Sequence, residues 1–168
     1  MSRVADEPPP RVISVVIPVY RGESTLASTV GELLPHTRVS RTAQGATYRV
    51  GEIILVHDAG PDRSDLVLQG LERRHEVVRV VWLSRNVGQH AATIAGMAAS
   101  QGDWIATLDE DGQHDPGALG DFLDTALRER AGVVYARFAD TRAQGALRSA
   151  ASVASKRMLG AAFKTPGI

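Results

Sequence analysis

The sequence predicts an α/β fold, a mostly parallel central sheet with helices layered on both of its faces. Three observations carry this. Short runs of apolar, often β-branched residues recur along the chain, as strands buried on both faces require. Segments with apolar residues at helical spacing separate those runs, and such alternation argues for right-handed crossovers. Polar loops follow the carboxyl ends of four runs, at Tyr20, Asp58, Arg85 and Asp109, which places all four loops on one edge of the sheet.

The chain in order justifies each element. Val12 to Pro18 is a continuous apolar run ended by Pro18, which lacks a backbone donor. Leu26, Val30, Leu33 and Leu34 predict a helix over about Glu23 to Pro35. Thr37 to Val50 has no clear period and reads as loop. Ile53 to His57 is the second strand, followed by turn residues Asp58 to Ser64 and a helix from Ser64 to His75. Val77 to Leu83 is the third strand. His90 to Ser100 is an Ala-rich helix with Ala91, Ile94, Ala95 and Ala98 on the face toward the sheet. Trp104 to Leu108 is a fourth, buried strand. Asp115 caps a helix that Pro116 opens and Gly132 ends, with Leu119, Phe122, Leu123, Ala126 and Leu127 as its buried stripe. Val133 to Phe138 is a fifth strand, and Leu147 to Phe163 a last helix.

Composition bounds the function. The 168 residues suffice for one domain with a real core, and 43% apolar with 23% charged content is ordinary for a soluble protein. A formal net charge of zero argues against bulk nucleic-acid binding. With no cysteine, disulfides, thiolate metal sites and a Cys nucleophile are excluded. No apolar run approaches the ~18 residues of a membrane span. Residues 1–11 read as a disordered leader, not a signal peptide, because Met1 to Pro10 is acidic and proline-rich with no apolar stretch. The domain is expected over 12–168, in a cytosolic setting.

The acidic corner Asp109-Glu110-Asp111 is the strongest candidate site. Carboxylates at the carboxyl end of a strand sit where open α/β sheets bind ligands. Asp109 and Asp111 are expected to share a cation where the chain turns, which Gly112 permits. Crowded carboxylates repel one another, and a bound cation relieves that repulsion. Oxygen ligands suit Mg²⁺ or Mn²⁺, and those suit a phosphate-bearing substrate. Asp115 is better explained as a helix cap. Asp58 is either a turn residue or an acceptor for base or ribose groups. Arg85 is either a phosphate or base contact or a solvated side chain, and Gly88 allows close backbone approach before a helix N-terminus. His57 is given no catalytic role. The part after Arg137 is basic, with Arg137, Arg142, Arg148, Lys156, Arg157 and Lys164 against Asp140 alone, and could face an anionic acceptor or lipid headgroups.

Four segments together resemble a family: Ile13-Ser-Val-Val-Ile-Pro-Val-Tyr20, Val56-His-Asp-Ala-Gly-Pro-Asp62, Leu83-Ser-Arg-Asn-Val-Gly88 and Thr107-Leu-Asp-Glu-Asp-Gly-Gln-His-Asp-Pro116. They resemble the inverting family 2 glycosyltransferases, most closely the polyprenyl-phosphate branch of dolichol-phosphate mannosyltransferase type. The resemblance implies a Rossmann-like, three-layer GT-A fold and a nucleoside-diphosphate sugar donor. It implies donor contacts at Pro18, Tyr20, Asp58 and Asp109, with Arg85 as a further candidate. It implies metal ligation, by Mg²⁺ or Mn²⁺, at Asp111 and Gln113. The acceptor it implies is a polyprenyl phosphate at the inner face of a membrane, with Arg142 and Arg148 as candidate contacts. The chain departs from the family's pattern at His57-Asp58, where two Asp are usual, at Ala59-Gly60 for Gly-Ser, and at Arg21-Gly22 for Asn-Glu. The acceptor-side portion is largely missing, and no general base stands out. Two other readings compete: a nucleotide-binding module without turnover, and a sugar-nucleotide nucleotidyltransferase. Pro18-Val-Tyr-Arg-Gly22 matches the latter's Gly-rich phosphate loop poorly.

Overall fold

In a computed structural model of the chain, residues 8–136 are described. Their elements lie within one compact unit, Met1–Val134. Strand β1 (Arg11–Val19) pairs in parallel with β3 (Thr47–His57) on one side and β5 (Trp104–Thr107) on the other. Strand β4 (Val78–Trp82) adds in parallel to β3, and the short β2 (Ser40–Arg41) pairs antiparallel with its start. The parallel strands therefore run β4–β3–β1–β5, and the chain reverses its direction of growth at β1. That is the topological switch point at which such sheets open a crevice.

The period of two along β1 divides the core. Ile13, Val15, Ile17 and Val19 join one apolar cluster with Ile53 and Leu55 of β3. Helices α1 (Leu26–Leu33), α2 (Ser64–Arg74) and α4 (Leu119–Glu129) cover that side through Leu26, Val30, Leu33, Leu68, Leu71, Leu119 and Leu123. Val16, Ile54 and Val56 face the other side, under α3 (Gln89–Ala99) and its Ala92. Each such fully buried aliphatic side chain contributes about 1.5–3 kcal/mol. The layers, the parallel sheet and the four strand-to-helix alternations up to Glu129 are those the sequence predicts.

Several expectations need correction. Pro18 does not end β1: it pairs with Val56, and Val19 follows, accepting from the Asp58 N–H at 2.8 Å. The proline is tolerated because it lies on the β5 side, where pairing stops after Val16. The predicted loop Thr37 to Val50 contains β2 and the first four residues of β3. Tyr48 and Val50 are buried while Thr47 and Arg49 are half-buried, an alternation interrupted by a bulge at Gly51 opposite Ile13/Ser14. Helix α1 starts at Leu26, with Glu23 to Thr25 forming a turn, and a 3₁₀ turn, Leu34–Thr37, completes it.

Helix α3 presents Ala92 and Gly96 to the sheet, not Ala91, Ile94 and Ala98, which are exposed. A Cβ at Gly96 would lie 2.4 Å from Val16 Cγ1 and 2.8 Å from Val56 Cγ2, so the glycine sets how closely helix and sheet approach. Strand β5 is only half-buried, with Ile105 at 40% exposure, because it is an edge strand among the described residues, paired only with β1. On α4, Leu119, Leu123 and Ala126 are buried, Phe122 is half-buried and Leu127 is exposed. Asp124 is buried in Leu127's place, accepting from the Gln44 N–H at 3.0 Å. This helix ends at Arg130, in the left-handed region at φ 50°, two residues before Gly132. Val133 to Ala136 are not strand, and the rest of the predicted fifth strand and the last helix lie outside the described residues.

The amino ends of the strands are tied by a polar network. Glu52 Oε1 accepts from Ser14 Oγ (2.7 Å) and the Gln101 N–H (2.6 Å), and Oε2 pairs with Arg79 at 2.9 Å. The Arg79 guanidinium also donates to Ala99 O, and Ser14 Oγ accepts from the Gly102 N–H at 2.8 Å. Burial opposes ionisation of Glu52, yet these hydrogen bonds and the Arg79 charge hold its carboxyl below the usual carboxylate range.

Candidate functional site

At the carboxyl ends of the strands a cavity of about 450 Å³ opens beside the switch point. Its wall includes Pro18, Tyr20, Asp58, Asp109 and Asp111, five of the predicted site residues. Each arrives by the same logic: a buried parallel strand ends and the next polar residues project from its tip. The chain turns after Asp109, and Gly112 takes φ 69°. Asp111 closes the turn by accepting from the Gln113 N–H at 3.1 Å.

Three loops hold one another in place. The backbone N–H groups of Tyr20, Arg21, Gly22 and Glu23 all donate to side chains from the other two loops. Tyr20 and Arg21 donate to Glu110 (2.8 and 3.0 Å), Gly22 to Ser64 Oγ (2.8 Å) and Glu23 to Asp62 Oδ2 (3.1 Å). In return, Glu23 Oε2 accepts from the Arg63 N–H. Asp62 is partly desolvated, but donors from Ser64 and the Glu23 backbone keep its carboxyl below the ordinary range. A Cβ at Gly60 would sit 1.7 Å from Tyr20 O, so no other residue lets this turn lie against the Tyr20 loop. Neighbouring Ala59 holds φ 48°, a left-handed conformation unusual for alanine.

Asp58 is 2% exposed. Its two oxygens accept from the Val87 and Gly88 N–H groups at 2.7 and 2.9 Å, beside the first turn of α3. The anion expected at that helix start is thus a side chain of the chain itself. Asp109 Oδ1 accepts from Gln89 Nε2 at 2.7 Å. Its Oδ2 lies 4.0 Å from His114 Nε2, and Asp111 is exposed, with Oδ1 spent on the Gln113 N–H.

Two predicted residues are not in the cavity wall: Arg85 and Gln113 are exposed and lie beside it. Arg142 and Arg148 lie outside the described residues. Val19, Asn86, Gly88, Gln89 and Glu110 complete the wall. Gly88 was legible as a close-approach residue. Asn86, Gln89 and Glu110 gave only adjacency to motif residues as a signal. The predicted capping role of Asp115 is present, its Oδ1 accepting from the Gly117 N–H at 2.8 Å.

The donor set fits a hard divalent cation. Among the described residues no three His, Cys, Asp or Glu side chains converge on one point. Two carboxylates suffice, however, for an ion that keeps waters and takes further oxygens from a bound diphosphate.

Comparisons place the chain among known proteins. The sequence model of Glycosyl transferase family 2 matches residues 14–163. An undecaprenyl-phosphate 4-deoxy-4-formamido-L-arabinose transferase of Pseudomonas aeruginosa (strain PAO1) is 41% identical over 118 residues, 70% of this chain and 33% of that protein. Its namesake in Klebsiella pneumoniae (strain 342) is 38% identical over 120 residues, 71% of this chain and 35% of that protein. The chain thus spans about a third of the length of the curated relatives it matches. Among solved structures, S. aureus TarS 1-349 superposes with a TM-score of 0.58 at 16% identity, covering 79% of this chain and 37% of TarS. A Pyrobaculum calidifontis mannosyltransferase, PcManGT, solved with GDP-Man and Mn²⁺, gives 0.50 at 13% identity, over 61% of this chain and 28% of that one. Both are GT-A neighbours and support the fold alone. The chain belongs to glycosyltransferase family 2.

Proposed function

We propose that this family 2 glycosyltransferase chain binds a nucleoside-diphosphate sugar in the cavity beside β1 and passes the sugar to a polyprenyl phosphate with inversion. The carrying observation is that Pro18, Tyr20, Asp58, Asp109 and Asp111, drawn from the ends of three separate strands and the loops after them, line one cavity. Tyr20, Pro18 and Asp58 form the nucleoside side. Asp109, Asp111 and Gln113 would hold Mg²⁺ or Mn²⁺, and a neighbour of the same fold was solved with Mn²⁺ and GDP-Man. Such a cation, when bound, neutralises the departing diphosphate.

The chain's own residues then do three things. Asp58 fixes the start of α3 against the cavity, the Glu110, Ser64 and Asp62 side chains hold the Tyr20 loop, and Gln89 orients Asp109. In the reaction the bond from the anomeric carbon to the diphosphate oxygen breaks as an acceptor oxygen bonds the opposite face. The relatives' names specify undecaprenyl phosphate. A phosphate monoester, with a second pKa of about 6, is already anionic at neutral pH and needs no general base. Arg142 and Arg148 would meet that phosphate at the inner membrane surface. No helix among the described residues is long and apolar enough to cross a membrane.

A panel of nucleoside diphosphates read by thermal shift tests the reading. At a hundred times Kd the matching nucleotide should stabilise the chain by about 2.7 kcal/mol with Mg²⁺ or Mn²⁺ present, and much less with a chelator. No cation-dependent shift from any of them would reject it.

A further inference from the structure

The middle residue of the acidic corner does something its two neighbours do not. Glu110 sits between Asp109 and Asp111 and would be read as a third ligand or as surplus charge. Its carboxylate instead reaches the loop that follows β1. Oε2 accepts from the Tyr20 N–H at 2.8 Å and Oε1 from the Arg21 N–H at 3.0 Å, across about half of the chain. Two successive backbone N–H groups aimed at one carboxylate make an anion-binding nest, so the Glu110 charge is matched inside the protein. Its backbone is held as well, with Thr29 Oγ1 donating to Glu110 O at 3.5 Å.

From this geometry we infer that Glu110 is a positioning residue that couples the cation side of the donor site to its nucleoside side. The inference rests on the donor-site reading above. Asp109 and Asp111 flank Glu110 directly, and Tyr20, whose N–H Glu110 holds, lines the same cavity. Seating a cation and diphosphate on the two Asp therefore fixes the Glu110 backbone, and through its carboxylate the Tyr20 loop. A carboxylate matched by two N–H groups also adds less repulsion to the corner than a solvent-facing one would. Gly22 and Glu23 are anchored elsewhere, on Ser64 and Asp62, so removing Glu110 frees half of the loop and leaves the other half tied.

The experiment combines amide exchange with calorimetry on the wild-type chain and on E110A and E110Q. In the ligand-free protein, the Tyr20 and Arg21 amides should be protected and should exchange rapidly in E110A, while those of Gly22 and Glu23 stay protected. UDP and GDP are titrated with Mn²⁺ and with a chelator. E110A should weaken Mn²⁺-dependent binding roughly tenfold to a hundredfold, the range for losing charge-assisted hydrogen bonds. E110Q keeps an accepting oxygen and should recover part of both effects, which a general loss of stability would not do. Unchanged exchange at Tyr20 and Arg21 in E110A, or unchanged affinity, overturns the inference. If wild type binds neither diphosphate, the donor-site reading fails and the coupling with it, whereas the exchange result still states separately whether Glu110 holds the loop.

Discussion

The two ends of the sheet use carboxylates in opposite ways. At the amino ends, Glu52 spends both oxygens on partners within the chain: Ser14, Arg79 and the Gln101 backbone. At the carboxyl ends, Asp58, Asp62 and Glu110 are also matched, but by loop N–H groups that shape a cavity. Asp109 and Asp111, in the wall of that cavity, each spend a single oxygen on a hydrogen bond, to Gln89 Nε2 and to the Gln113 N–H. A carboxylate matched at both oxygens adds stability, whereas one hydrogen-bonded at a single oxygen in a built cavity retains acceptor capacity. The difference separates brace from site without reference to any motif.

That separation can be tested by removing one carboxylate from each end. Asp111→Asn should cost about 10²–10³-fold in donor turnover, the range for losing one preorganised electrostatic group. Folding stability, read by urea denaturation, should change by no more than about 0.5 kcal/mol, because the side chain is exposed. Glu52→Ala should do the reverse. It removes the acceptor for the buried Ser14 hydroxyl and the carboxylate partner of Arg79 and the Gln101 N–H, and should cost about 2–3 kcal/mol of stability while leaving cation-dependent nucleotide affinity unchanged.

The same brace sets an acid limit. The Glu52 carboxyl is held below its ordinary value of 4.5, so its contribution is fully present above that pH and is lost as pH falls through the lower, folded value. Denaturation midpoints measured from pH 6 downward should fall more steeply in wild type than in Glu52→Ala. The smallest effect belongs to the strained turn. Ala59→Gly relieves a left-handed alanine but adds freedom to the unfolded chain, for a net gain of about 0.5 kcal/mol in thermal denaturation.

How much was legible in the sequence follows the same physics. β1 and the second half of β3 are buried on both faces, and continuous apolar runs such as Val15 to Val19 announce that. The start of β3 escaped because Tyr48 and Val50 alternate with polar residues and the Gly51 bulge breaks the period. The face of α3 was misassigned because in an Ala-rich helix contact is made by the smallest residues, Ala92 and Gly96, while the larger Ile94 and Met97 point out. In the site, residues at strand tips were readable from position. Glu110, Ser64 and Asp62 were not, because their partners are backbone N–H groups in a distant segment, and those leave no trace in a residue pattern.

The four tethered amides of Tyr20 to Glu23 also bear on the order of folding. Their acceptors lie 39 to 90 positions along the chain, on the segments that follow β3 and β5. Contacts this non-local form only after the intervening loops have closed. The Tyr20 loop is therefore fixed only once both of those segments have docked, although it comes directly after the first strand.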